Sequence, residues 1–265
     1  MLILCKTVSR VQNKGFVILP LLLILLTACL PAPAVTLPPT ETTAAPTRTH
    51  TPTVIWFPTT DTPNPPPTVI PSLTPEIRPG VGEILLADDF STAESWLVGE
   101  MPKGSVALGV DELTLALVQP KGYIFSFRNQ PTFDDFYLEI TASPSLCTGL
   151  DEYGLLLKYN SPSDFYRFSL SCNGQTRLDR IVGGSALSTQ PWMPSTSVPS
   201  AAPSISRLGV WVVGQEMRFF INNEFQFAIS DRMLARGMIG VFARSAGETA
   251  VTVSFSDLVV RAIQP

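Results

Sequence analysis

From Glu83 onward, apolar and polar positions alternate with a period of two, the spacing that points successive side chains to opposite faces of a strand. Phe136, Leu138, Ile140 and Ala142 share one face of such a strand, and Tyr137, Glu139 and Thr141 share the other. The pattern repeats in Tyr153, Leu155, Leu157 and Tyr159, in Tyr166, Phe168 and Leu170, in Met217, Phe219 and Ile221, and in Phe225, Phe227 and Ile229. No stretch carries the apolar stripe of an amphipathic helix. Asn173-Gly174, Gly214-Gln215 and Asn222-Asn223 each separate apolar runs and suit the positive φ of tight hairpins, and Ser161-Pro162-Ser163 marks a further turn. Many short strands joined this way predict an all-β, two-sheet antiparallel sandwich or jelly roll over residues 83–265. Phe165 and Trp211 run out of phase with their neighbours, which fits either a surface position or one facing the second sheet's core.

The first 82 residues break this pattern in two ways. Lys6, Arg10 and Lys14 precede an apolar run from Gly15 to Leu26 that Pro20 interrupts. The run is shorter than the roughly 20 residues a spanning helix needs, so residues 1–28 are expected to be a secretory signal. Its end, Leu26-Thr27-Ala28-Cys29, resembles the bacterial lipobox. That resemblance implies cleavage before Cys29, a diacylglyceryl group on its thiol, and an extracytoplasmic protein held to a membrane at the cell surface or in the periplasm. Several acyl chains on one residue make a stable anchor where a single chain does not. Residues 30–80 then hold 14 Pro and 13 Thr in 51 positions, too few donors and core-forming side chains for a fold. Residues 29–82 are therefore expected to be a lipidated, disordered linker, extended over roughly 100–150 Å.

Charge and rare residues narrow the chemistry. Residues 83–265 carry 19 Asp and Glu against 13 Lys and Arg, a net −6 that argues against a nucleic-acid partner. His50 is the single histidine and lies in the linker, so the β region lacks the imidazole of a Ser-His-Asp or Cys-His site. With Cys5 leaving in the signal and Cys29 lipidated, Cys147 and Cys172 are the thiols that remain in an oxidising compartment. Pairing of residues 153–159 with 165–171 places Cys172 opposite about Glu152, where Cys147 enters, so a disulfide is expected.

Tyr153-Gly154-Leu155-Leu156-Leu157-Lys158-Tyr159, Asp164-Phe165-Tyr166-Arg167-Phe168 and Arg177-Leu178 resemble the corresponding run of concanavalin A-like jelly-roll domains. Arg207-Leu208-Gly209-Val210, Phe220-Ile221-Asn222-Asn223-Glu224-Phe225, Gly237-Met238-Ile239-Gly240-Val241 and Phe255-Ser256-Asp257-Leu258 resemble its later half, shared by laminin G-like and 3-keto-disaccharide hydrolase-type domains. Asn223 stands where the family turn has Gly. The laminarinase-like members carry Glu-x-Asp-x-x-Glu on one strand, which alternation aims into the cleft, and this spacing is absent here. Asp88-Asp89, Asp134-Asp135 and Asp151-Glu152 are adjacent pairs and are expected to be solvated carboxylates rather than an acid and base.

The resemblance implies a non-catalytic carbohydrate- or ligand-binding jelly roll, displayed by a surface-anchored lipoprotein. A disaccharide-processing enzyme and a structural envelope protein that binds only protein are the alternatives. Trp192, in a polar loop, and Trp96 are the candidates for stacking on sugar, each with packing on the sandwich as the competing assignment. No organic cofactor is expected. In this superfamily the first and last strands commonly pair, which would bring Asp88, Asp89 and Asp257 together as ligands of a structural calcium ion, with simple exposure to water as the alternative.

Overall fold

The computed structural model describes residues 76–264, so the signal segment, Cys29, His50 and most of the Pro/Thr-rich linker lie outside the described residues. The alternation resolves into fifteen strands, numbered here in chain order, with no helix among the described residues. One sheet runs in the order β13 (Glu224–Ser230), β12 (Glu216–Ile221), β11 (Ser206–Val213), β6 (Phe136–Leu146), β15 (Val251–Ile263), β4 (Leu113–Leu117), β3 (Gly104–Leu108) and β2 (Gly99–Met101). β1 (Val81–Asp88) adds to it by pairing with the far half of β15, Asp88 opposite Leu258. The other sheet runs β10 (Ser185–Pro194), β9 (Gln175–Val182), β8 (Asp164–Ser171), β7 (Glu152–Ser161), β14 (Met238–Arg244) and β5 (Tyr123–Phe127). The architecture is the two-sheet antiparallel jelly roll that the pattern predicts, and its first and last strands do pair.

The core lies between the inner faces. Phe168 of β8 crosses it to meet Phe219 of β12 at 4.8 Å and Phe227 of β13 at 6.1 Å between ring centroids. Phe136, Leu138, Ile140, Tyr153, Leu155, Tyr166 and Leu170 join the same cluster, as their alternation requires. The disulfide is present, with Cys147 and Cys172 5.7 Å apart at Cα. Cys172 N donates to Asp151 O at 3.0 Å and Ser171 is the residue opposite Glu152, so the register lies one residue from the expectation. Asn222 and Asn223 both take positive φ, 52° and 66°, and make the hairpin turn without glycine, as a short polar side chain permits.

Two side chains leave the faces that strict alternation assigns them. Tyr159 was expected beside Tyr153, Leu155 and Leu157, yet it packs outside the sandwich with Phe125, Phe127 and Phe165. The register between β7 and β8 slips between Leu157 and Ser161, and Lys158 within the slip has φ of 49°. Phe225 likewise departs from Phe227: it meets Phe220 on the outer face at 5.8 Å and is 45% exposed. There the β12–β13 register slips between Phe219 and Phe220. A bulge adds one residue to one strand, and every side chain beyond it changes face.

Residues 76–82, ahead of Glu83, pack on the domain. Arg78 lies over Phe220 at 5.0 Å and donates to Tyr137 Oη at 2.9 Å, on the outer face of the nine-stranded sheet. Trp211 donates from Nε1 to Pro79 O at 2.9 Å, and Arg218 to Ile77 O at 3.0 Å. This settles the out-of-phase Trp211, which faces away from the core and is covered by the linker's last residues. Burial and the hydrogen bond to Glu139 push the Tyr137 phenol up to about 12.

Candidate functional site

The side chains of β7, β8 and β9 that do not enter the core share the outer face of the six-stranded sheet. In register, Arg244 stands beside Glu152, Ser169 beside Arg177, and Arg167 beside Asp179, which itself stands beside Ser188 of β10. The floor is kept low where Gly154 lies opposite Ser169, because a Cβ at Gly154 would come within 2.1 Å of the Phe168 carbonyl oxygen. Aromatic rings border this floor. Tyr123, Phe125 and Phe127 occupy alternate positions of β5, and with Phe242, Tyr159 and Phe165 they surround Leu156. Phe127 stacks on Tyr159 at 4.7 Å. Tyr123, Phe125, Leu156, Tyr159, Pro162 and Phe165 line a cavity of about 20 Å³, room for roughly one water.

The polar half of the face is an alternating ion network. Glu152 Oε1 accepts from Arg244 at 2.7 Å and its Oε2 from Arg177 at 2.9 Å. Asp179 Oδ2 accepts from Arg167 at 2.7 Å and its Oδ1 from Ser188 Oγ at 2.5 Å. The Arg177 guanidinium lies 4.4 Å from the Trp192 ring centroid, and that of Arg167 lies 5.9 Å from Tyr123 and 5.8 Å from Phe242. Six buried side-chain polar atoms among the described residues lack a hydrogen bond of good geometry, and four of them are here: Ser169 Oγ, Arg177 Nε, and Tyr123 Oη and Arg167 Nε, whose side chains meet each other. Arg177 Nε is 3.1 Å from Asp179 Oδ2 but its N–H is not directed at that oxygen. Burial pushes the Tyr123 phenol up against the opposing pull of Arg167. Buried polar atoms are seldom left unpaired, so their concentration on one face marks a surface that is polar beyond its own needs.

Trp192 therefore sits on this face, half-buried beneath Arg177. Trp96 does not. It is 4% exposed, packs on Phe90 at 5.2 Å and donates from Nε1 to Asp88 Oδ2, so it anchors its loop and presents no ring face to a sugar. Phe165, left open by its phase, joins the outer aromatic group.

Asp88, Asp89 and Asp257 line one shallow depression, as pairing of the end strands requires. Asp88 Oδ2 is already engaged by Trp96 and by Arg128 at 2.9 Å, and its Oδ1 accepts from Phe90 N. Asp89 Oδ1 accepts from Ser91 N. Among the described residues, no group of three or more His, Cys, Asp or Glu is arranged to hold a metal ion.

The expectation of solvated pairs is corrected at three carboxylates. Asp88 is mostly buried against Arg128, Asp151 is 1% exposed and accepts from Thr148 N and Ala246 N beside the disulfide, and Glu152 is 3% exposed between two arginines. Their partners come from distant strands, which adjacency in sequence does not reveal. Arg167, Ser169, Arg177 and Asp179 were not singled out from sequence either. The signal was the polar face of β8 and β9, the complement of the core positions Phe168, Leu170 and Leu178.

A second polar cluster is structural. Asp231 accepts from Tyr166 Oη at 2.8 Å, from Arg180 at 2.6 Å and from Met233 N at 2.9 Å. Burial alone would raise its pKa, but these donors outweigh burial and hold it below the ordinary aspartate value. A carboxyl with a depressed folded pKa contributes stability above its unfolded pKa and loses it as pH falls through the folded one. Asp231→Asn should therefore weaken the protein at neutral pH and flatten its loss of stability below about pH 4. Parallel acid unfolding curves for variant and parent, followed by circular dichroism, would contradict this.

No protein-family model matches the sequence, and no curated protein matches it. Among solved structures the chain is similar to the carbohydrate-binding module CBM66 from Bacillus subtilis, with TM-score 0.53 and 12% identity over 63% of this chain and 96% of that one. A protein of unknown function with a galectin-like fold, also from Bacillus subtilis, gives 0.51 at 17% identity, covering 70% and 99%. The Crh5 transglycosylase gives 0.51 at 10% identity, covering 71% and 88%. These likenesses place the described domain in the jelly-roll fold that binding modules and glycan-active enzymes share.

Proposed function

We propose that this chain is a surface-anchored lipoprotein whose jelly roll binds carbohydrate without catalysis, on the outer face of the six-stranded sheet. The observation that carries the reading is the pairing of an aromatic border with unpaired buried polar atoms on that one face. Saccharide recognition uses apolar ring faces with a few oriented hydrogen bonds. A non-catalytic role agrees with the carboxylates of the face, Glu152 and Asp179, which are paired with arginines, each oxygen accepting from an arginine or serine donor. That the similar structures include a carbohydrate-binding module and a transglycosylase supports glycan as the ligand class.

The test is a glycan array probed with the full-length protein. Trp192→Ala should weaken the saccharide that binds by roughly tenfold, about 1.4 kcal/mol. An array with no bound glycan would favour a protein-binding envelope component, and turnover of 3-keto-glycosides would replace the binding reading with an enzyme. For the anchor, the Cys29 thiol is the acyl acceptor in this reading, so Cys29→Ser should shift the protein out of the membrane fraction or leave it as uncleaved precursor. Equal incorporation of labelled palmitate into that variant would remove the lipobox assignment.

A further inference from the structure

We propose that the saccharide taken by this face is anionic, a sugar bearing a carboxylate or a sulfate ester that the spare donors of Arg167 and Arg177 hold. The inference rests on the binding role proposed above for the same face. A neutral sugar hydroxyl both donates and accepts, so a face built for neutral sugar leaves acceptors open to it. Here the acceptors are already engaged: each oxygen of Glu152 and of Asp179 receives an arginine or serine donor, which leaves it one lone pair rather than two. What is left over is two cationic donors, the Nε groups of Arg167 and Arg177, and two hydroxyls, those of Tyr123 and Ser169, which donate to an anion as readily as they accept from a neutral group. The charge count points the same way. Three guanidiniums, Arg167, Arg177 and Arg244, face two carboxylates, an excess of one positive charge.

A guanidinium presents its donors in a planar fork that matches the paired oxygens of a carboxylate or sulfate. Trp192 beneath Arg177, and Tyr123 and Phe242 beside Arg167, hold those forks in place by stacking, so little side-chain freedom is left to lose on binding. The β region as a whole is negative, 19 acidic against 13 basic residues, and at long range would repel an anion. Charges beyond about 8 Å are largely screened at physiological salt, so the local positive excess decides.

The experiment measures binding of the detergent-solubilised full-length protein to polygalacturonate, to its methyl ester and to a sulfated galactan. One or both anionic polymers should bind at least tenfold more tightly than the methyl ester, and more weakly as salt rises; the two arms separate carboxylate from sulfate. Methyl ester binding as tightly as the anionic polymers would overturn the charge preference while leaving glycan binding in place. Failure of all three polymers and of every neutral glycan on the array would overturn both readings. Two variants fix the location. Ser169→Ala deletes a hydroxyl with no hydrogen-bond partner and Tyr123→Phe one that meets only Arg167, so the melting temperature should stay within about 2 °C of the parent while affinity for the anionic polymer falls about fivefold. Undiminished affinity in both would overturn the site.

Discussion

Phe219→Ala should destabilise the protein by about 3 to 5 kcal/mol, the usual cost of emptying a buried aromatic site that cannot collapse. Phe219 is fully buried, stacks on Phe227 at 4.8 Å within its own sheet, and meets Phe168 of the opposite sheet at 4.8 Å. It is thus a contact through which the two sheets hold each other, and its loss removes dispersion contacts from both. For a domain of this size the expected fall in melting temperature is roughly 6 to 20 °C, a large share of a total stability of about 5 to 15 kcal/mol. Phe219→Leu should cost much less, because it refills most of the volume. Urea unfolding of the three proteins checks this, and a loss below about 1 kcal/mol for the alanine variant would mean that the sheets are not joined through this cluster.

The second large effect is expected from the disulfide. Cys147 and Cys172 close a loop of 25 residues, which in the chain-entropy model is worth about 3.5 kcal/mol of constraint on the unfolded chain. Reduction of the native protein, or the double change Cys147→Ser and Cys172→Ser, should lower the urea midpoint by a similar amount in each case. The serine variant should then be insensitive to reductant. Native protein whose two thiols alkylate freely before reduction would rule the bridge out. Asp151 sits at the same end of the sandwich and takes donors from Thr148, Ala246 and Thr249, so the loop is tied from both sides.

The aromatic border was half legible. Phe165 runs out of phase with its neighbours, whereas the alternation of Tyr123, Phe125 and Phe127 along β5 was not singled out from sequence and takes its meaning from the strand's place beside β14. Tyr159, which completes the stack with Phe127, was assigned to the opposite face because nothing in the local pattern announces a bulge at Lys158. Trp192 and Trp96 looked alike in sequence, two tryptophans in loop-like surroundings. One lies beneath Arg177 on the outer face and the other is spent on Asp88, a difference set by strands far away in the chain.

What the sequence by itself determined rests mainly on neighbours one to four residues apart: the all-β class, the inner faces of β6, β8 and β12, and the hairpin at Asn222-Asn223; the approach of Cys147 to Cys172 follows from pairing two such strands about one short turn. Periodicity and turn chemistry act locally, so they are written locally. The tertiary structure alone decided the partners of charge. Glu152 meets Arg177 and Arg244 only because β9 and β14 lie near or beside β7 in the sheet, and Asp88 meets Arg128 across the domain. Adjacent carboxylates read in isolation look solvated, since burial of a charge depends on a counter-charge that long-range strand pairing must deliver.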